Sequence, residues 1–294
     1  MDIGQKIREL RVAKLMTQAE LAGSQITRNM LSSIENGSAM PSLSTVLYIA
    51  GRLNVPAGFL LAEEGDEAVY RKMNSFSNIK RAYMAGDLRG CRNLCVSACP
   101  KADDEISLLL ANCDLGIAEE EFRDGRLRSA CRFFDEALSY AEKTMYSTAQ
   151  IKAVARVYFR YMERISPTLY SDYLEEGTAD FVWNSPFSAY VDALEALDRG
   201  DLQGAEHYLA AQEEQDSFFF DHVRIRCMME RGAYPEAKEA LQSLLQAENP
   251  LRAVELYEAL CELEVACRET EDFQGAYRYA NEKLQSLEQL LKEF

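Results

Sequence analysis

One short pattern, repeated, limits the folds open to this chain more than anything else in it. A glycine is followed two residues on by an apolar side chain and three further on by a small one. It occurs at Gly86-Asp87-Leu88-Arg89-Gly90-Cys91, Gly125-Arg126-Leu127-Arg128-Ser129-Ala130, Gly200-Asp201-Leu202-Gln203-Gly204-Ala205 and Gly232-Ala233-Tyr234-Pro235-Glu236-Ala237. A worn copy puts Glu271 in the place of the glycine and runs through Phe273 to Ala276. Glycine ends a helix because it accepts a left-handed backbone, the apolar residue seats the turn, and the small residue lets the next helix approach closely. The small residues fall at 91, 130, 205, 237 and 276, in steps of 39, 75, 32 and 39. The step of 75 reads as two units, the degenerate one near Pro167. Strand signals are almost absent, so the expectation for residues 66–294 is a stack of helical hairpins, with a generic helical bundle as the plainer alternative.

The spacing resembles tetratricopeptide-like (TPR-like) hairpins, which repeat nominally about every 34 residues. Such a superhelical repeat domain lines one side with its first helices, and that side suits an extended peptide. Counting back thirteen and ten residues from the turn glycines reaches Asn112 and Leu115, Phe187 and Tyr190, then Phe219 and His222. Arg160, Arg224 and Arg226 lie on first helices too. Asn pairs with peptide backbone, aromatic rings offer apolar pockets, and Arg takes a carboxylate. The candidate ligand residues are therefore Asn112, Arg160, Tyr190, His222 and Arg226, while Phe219 reads better as interhelix core.

The first 65 residues are different. Thr27 to Gly37 (TRNMLSSIENG) is spaced like one helix with two faces. At 100° per residue, Met30, Leu31 and Ile34 gather on an apolar side. Arg28, Asn29, Ser32, Ser33 and Asn36 gather opposite, with Arg28 the one charge among them. Arg and Asn at a helix start are the side chains that bind guanine and adenine edges bidentately. Thr27 suits the N-cap and Gly37 the stop. On these residues alone, a base-reading helix and a plain surface helix stand level. Upstream, Thr17 and Glu20 form a capping box that starts another short helix, with Gln18 at its phosphate-binding end. Ile3, Ile7, Leu10 and the run from Val12 to Leu15 suggest a packing helix before it. Pro41-Ser42-Leu43 opens a fourth helix carrying Val46, Leu47, Ile49, Ala50 and Leu53; Val55-Pro56 ends it, and Ala57 to Ala62 forms a fifth.

Together Ile7, Arg11, Thr17-Gln18, Leu21-Ala22, Thr27, Leu31, Ile34-Glu35, Gly37, Pro41-Ser42, Ala50 and Leu53-Asn54-Val55 resemble the XRE (Cro/C1-type) repressor family. The resemblance implies a five-helix lambda-repressor-like DNA-binding domain over about a fifth of the chain. It implies that Gln18, Arg28, Asn29 and Ser33 face DNA, that Asn36 touches the backbone, and that Arg11 pairs with Glu35. Only Gly23-Ser24-Gln25-Ile26 separates Ala22 from Thr27, one residue fewer than is usual in the family. The register of the turn, and so the choice between Ser32 and Ser33, stays open. The DNA-binding set is Gln18, Thr27, Arg28, Asn29, Ser32, Ser33 and Asn36.

Charge divides along the same line. Residues 1–62 hold six basic and four acidic side chains, net +2, against −16 for the whole 294-residue chain and hence −18 for the rest. Nucleic acid repels the acidic part, so the first domain must carry the contact. One weakly basic module binds poorly alone, which points to a homodimer on double-stranded DNA with a two-fold related operator. No apolar run approaches ~18 residues and there is no basic, apolar leader, so the expectation is a cytoplasmic protein without a membrane span. Eight cysteines are scattered without CxxC pairs; Cys91, Cys95 and Cys99 share a helix face but read as buried packing residues. With two histidines and no nucleophile elbow, phosphate loop or paired-His motif, no enzyme, metal or cofactor is expected.

A repressor-like head before a repeat body resembles the Rgg/PlcR-type peptide-responsive regulators of Gram-positive bacteria. That resemblance implies a homodimeric, quorum-sensing type of transcription factor whose 66–294 domain dimerises and binds a short signalling peptide. The rivals are a DNA-tethered platform whose repeats dock a protein partner, and a pure scaffold, against which the Arg28-Asn29 pair argues.

Overall fold

The computed structural model describes residues 2–62, 67–171, 182–211 and 217–292, and among them every regular element is helical. The chain forms two compact units, Met1–Ala102 and Asp103–Phe294. No helix among the described residues is long and apolar enough to cross a membrane.

The first unit holds α1 (Ile3–Ala13), α2 (Gln18–Ala22), α3 (Arg28–Glu35), α4 (Leu43–Leu53), α5 (Ala57–Leu61), α6 (Glu67–Met84) and α7 (Leu88–Ala98). Side chains set the starts of four of them: Thr17 and Glu20 close the capping box on α2, Thr27 accepts from Met30 N, Ser42 accepts from Thr45 N, and Asp87 accepts from Gly90 N. The head's core is Ile7, Leu21, Leu31, Ile34, Val46, Ile49, Leu53 and Leu60, all at most 2 % exposed. Gly4 lets α1 cross α3, since a Cβ there would lie 2.0 Å from Ile34 O. Four expected core residues fall outside, Val12 among them at 55 % exposed. Leu15 is 92 % exposed because α1 ends before it, and its left-handed φ of 55° carries the turn in which Met16 N bonds Arg11 O and Leu15 N bonds Val12 O. Met30 and Leu47 are also exposed, each one position off its helix's inward stripe.

The sequence boundary at 65/66 lies outside the described residues, and the compact units divide later, after Ala102. The α6–α7 hairpin thus groups with the head. Tyr70 explains this: its ring meets Phe59 edge-on at 6.4 Å, over Gly58, where a Cβ would lie 2.2 Å from the Tyr70 hydroxyl.

The second unit contains α8 (Asp104–Arg123), α9 (Leu127–Ala141), α10 (Ala149–Ile165), α11 (Pro186–Asp198), α12 (Leu202–Ala211), α13 (Phe218–Glu230), α14 (Tyr234–Leu245), α15 (Ala253–Glu269) and α16 (Phe273–Leu290). Four hairpins pair α8 with α9, α11 with α12, α13 with α14 and α15 with α16. α10 has no second helix among the described residues, and the degenerate unit expected near Pro167 runs into 172–181, outside them. The first helices neighbour one another in the order α8, α10, α11, α13, α15.

Every repeated turn uses the left-handed backbone at the expected place: φ is 74° at Gly86, 76° at Gly125 and Gly200, 80° at Gly232 and 58° at Glu271. In each, the amide of the left-handed residue and that of the next residue fold back on the first helix, as where Gly200 N meets Leu197 O at 2.9 Å and Asp201 N meets Ala196 O at 2.8 Å. Asp87, Asp201 and Asp272 then cap the second helix by accepting from the amides of Gly90, Gly204 and Gly275. Gly125 does more. A Cβ there would lie 2.6 Å from Ala253 Cβ and 3.2 Å from a Leu290 methyl, so the turn of the unit's first hairpin rests against its last.

Candidate functional site

The outward face of α3 is held from behind by one buried carboxylate. Arg11 grips Glu35 with two parallel bonds (Nε–Oε1 2.6 Å, Nη2–Oε2 2.9 Å) and spends its third nitrogen on Met16 O. Gln18 Nε2 donates to the same carboxylate at 2.8 Å. Burial alone would raise the Glu35 carboxyl, but the bonds from Arg11 and Gln18 outweigh it and hold the group below its ordinary value. Glu35 therefore ties α1, α2 and α3 together. Tyr48 on α4 donates to Ala22 O at 2.9 Å and Arg52 donates to Glu20 O, so α4 satisfies the orphan carbonyls of α2. Gly23, with φ 58°, leaves room for this, because a Cβ would meet the Tyr48 hydroxyl at 2.3 Å.

On that frame Arg28 and Asn29 are exposed, and neither side chain has a partner among the described residues. Thr27 is spent as the cap, Ser32 and Ser33 are half-buried, and Asn36 is the exposed C-cap. Ser33 O accepts from Ser38 N at 2.9 Å and from the Ser38 hydroxyl at 3.0 Å, which closes the helix end beside Gly37. Gln18, half-buried, spends one amide hydrogen on Glu35, which leaves its second N–H and its carbonyl oxygen without a partner among the described residues.

The second unit encloses a cavity of about 180 Å³ among its first helices. Phe122 (α8), Tyr158 and Tyr161 (α10), Phe187 (α11), and Phe218 and Phe219 (α13) line it, with Glu119, Arg123, Arg252, Val254 and Glu255 completing the wall. Phe122, Tyr158, Tyr161, Phe187 and Phe219 meet ring to ring at centroid separations of 4.8–5.7 Å. Such edge and tilted contacts hold aromatic walls in place. Burial raises the Glu119 carboxyl, against the opposing pull of the Tyr158 hydroxyl and Arg123.

None of the five candidate ligand residues lines this cavity. Asn112 turns its amide back to Leu108 O, 2.8 Å away on its own helix. Arg160 is held by Glu195 and Asp192 at 2.8 and 2.7 Å. Tyr190 and His222 are both 0 % exposed and bonded to each other, hydroxyl to Nδ1, at 2.7 Å. Arg226 spans Glu262 and Asp198 at 3.0 and 3.3 Å. Carboxylates of neighbouring first helices thus hold the two arginines, while Asn112, Tyr190 and His222 bond within the unit. The count of thirteen does reach the wall at Phe187 and at Phe219, the latter expected only as core.

Sequence reasoning passed over Glu258 and Glu262. Glu258 accepts from the Tyr161 hydroxyl at 2.8 Å, and Glu262 faces His222 and Arg226. The signal was available: thirteen residues before Glu271, the turn without its glycine, stands Glu258.

The helix-turn-helix family model matches residues 7–60, which is α1 through α5 less their outer ends. The immunity repressor protein of Bacillus phage phi105 is 28 % identical over 116 residues, covering 37 % of this chain and 81 % of that one. Among solved structures, Bacillus thuringiensis PlcR in complex with the peptide PapR7 and DNA aligns over 98 % of this chain and 96 % of its own, at 14 % identity and a TM-score of 0.24. ComR from S. thermophilus, in complex with DNA and its signalling peptide ComS, aligns over 97 % and 99 % at 16 % identity and a TM-score of 0.23. Capped α2 and α3, the Glu35 tie and the family match agree: residues 7–60 form a helix-turn-helix domain, and the chain is a DNA-binding transcriptional regulator of that class.

Proposed function

We propose that this regulator binds a two-fold related operator as a homodimer and that its hairpin unit takes a short peptide, anchored by one apolar side chain. DNA contact is assigned to residues 1–65, and dimerisation and ligand binding to 66–294. The observation that carries the DNA half is the pair Arg28 and Asn29, exposed and unengaged at the start of a capped helix whose other face is core. Side chains of this kind read guanine and adenine in the major groove, while Thr27 and Asn36 sit where phosphates pass. A head of net +2 gains little from electrostatics alone, which favours two heads on one site.

The peptide half rests on the cavity. A void on the order of 150 Å³ accommodates a benzene ring, so about 180 Å³ walled by aromatic rings fits one aromatic or branched aliphatic side chain. The guanidinium groups of Arg123 and Arg252 at its wall suit a carboxylate or backbone carbonyls beside that anchor. A ligand acts as a switch only through unequal affinity for two arrangements of the repeats.

Selection of sites from random DNA tests the head: a symmetric consensus is expected, and failure to enrich any sequence defeats the reading. The cavity has its own reporter. Trp183 is the chain's one tryptophan, and its ring stacks on Tyr158 at 6.0 Å. A true ligand should change its fluorescence, and filling the void by Val254→Phe should abolish that response.

A second reading, a platform for a folded protein partner, draws on Phe273, Tyr277 and Leu284. All are more than half exposed and lie within one face of α16. Native mass spectrometry of protein from its own host separates the two, since a peptide and a folded partner differ in mass.

A further inference from the structure

His222, Glu258 and Glu262 are buried together, and their ligating atoms lie within 4.8 Å of one another. His222 comes from α13; Glu258 and Glu262 are one turn apart on α15, on its face toward α13. The Nε2 of His222 is fully buried and has no hydrogen-bond partner, although Glu262 Oε1 stands 3.7 Å away. A buried imidazole nitrogen left facing two carboxylates wants a cation between them. A proton would draw nitrogen and oxygen to about 2.7–2.9 Å. A tetrahedral metal ion with bonds of about 2.0–2.1 Å instead holds its donor atoms about 3.4 Å apart, close to the 3.7 Å between Nε2 and Glu262 Oε1 in a cluster whose donors all lie within 4.8 Å.

We propose that His222, Glu258 and Glu262 form a binding site for one first-row transition dication of the zinc class. An imidazole with two carboxylates suits zinc, cobalt(II), manganese(II) or iron(II) better than calcium or magnesium, which favour all-oxygen shells. Three protein ligands leave a tetrahedral ion one open position.

The surroundings support this. Tyr190 faces Nδ1 at 2.7 Å and can accept its proton, which fixes the tautomer with the Nε2 lone pair toward the carboxylates. The Tyr161 hydroxyl does the same service for Glu258 at 2.8 Å. Arg226 bonds Glu262 at 3.0 Å, and Asp198, 3.3 Å from its Nη2, can hold it when Glu262 turns to the metal. The site is independent of the peptide reading, because it lies behind the cavity wall and asks nothing of a peptide.

Full-length protein stripped by chelator and titrated with cobalt(II) and zinc tests it. The expected result is one equivalent per chain, with visible cobalt bands typical of tetrahedral nitrogen and oxygen ligands, and a zinc-dependent rise in Tm. His222→Gln and Glu262→Gln should each weaken binding at least about 100-fold, and Tyr190→Phe about 10-fold. His207→Gln, at an exposed position, should leave it unchanged. Should His222→Gln fail to fold, the wild-type titration and Glu262→Gln still decide. Absence of a one-equivalent site in the wild type overturns the proposal. So do cobalt–thiolate charge-transfer bands, which would place the ion on cysteines, or binding that survives in folded His222→Gln.

Discussion

Two arginine-bearing surfaces of this chain are built on opposite terms. On α3, Arg28 stands exposed beside Asn29 with no partner among the described residues. In the hairpin unit, Arg160 and Arg164 on α10 already hold carboxylates of α11, and Arg226 on α13 holds one each from α11 and α15. A side chain bonded only to water gives up little when it meets a base edge. One locked in a buried pair would have to break that pair first, at the cost of stranding its partner. The difference separates recognition from scaffold by partners, where residue type alone cannot.

The largest effect expected is therefore structural. Arg226→Ala leaves Glu262 buried without the guanidinium that holds it and should cost about 3 kcal/mol in urea unfolding. A change below about 1 kcal/mol would mean that the interior pairs are no firmer than surface ones. The same contrast has a pH signature. Glu35 and Glu262 are held below the ordinary carboxylate range in the folded chain. The stability they add is fully present above that range and is lost as pH falls through their lowered folded values. Acid unfolding of Glu262→Gln should start from lower stability and slope less steeply.

Next come the turns. Gly125→Ala should destabilise by about 2 kcal/mol, combining left-handed strain with a clash against Ala253. Gly200→Ala, with the same φ and open space for the new methyl, should cost about 1 kcal/mol. Equal losses would show that the contact between first and last hairpins carries no load. Arg28→Ala should leave stability within about 0.5 kcal/mol yet weaken the selected operator by about 1–3 kcal/mol in titrations at fixed salt. A loss of stability instead would move Arg28 to the scaffold side of the comparison. The smallest effect is a gain: Glu271→Gly relieves a left-handed non-glycine residue and should raise stability by about 0.5–1 kcal/mol, read as a higher Tm.

The turns were legible from sequence because their chemistry is local. A left-handed residue, an apolar seat and a small contact recur in a row, and Glu271 keeps the geometry after losing the glycine. The caps at Thr17, Thr27 and Ser42 were legible for the same reason. Leu15 and Met30 misled because apolar character does not say which side of a helix faces inward, or where it ends. Asn112 misled more instructively: the count that placed it on an inner helix has no means of knowing that its amide is satisfied by Leu108 O. Gln18 likewise spends one amide hydrogen on Glu35, a residue of another helix, which its position in the sequence does not show. The cluster of His222, Glu258 and Glu262 needs α13 and α15 side by side, and two histidines scattered in 294 residues give no motif for it.

The seam at Gly125 has a bearing on how this molecule could evolve. A linear stack lengthens by duplicating a unit at either end, but here the turn after α8 already abuts Ala253 and Leu290. An inserted hairpin would pry that seam apart, and so would any guest too large for the aromatic chamber. If the proposed peptide anchor enters there, the limit on its size is set at a joint remote in sequence from the rings that would touch it.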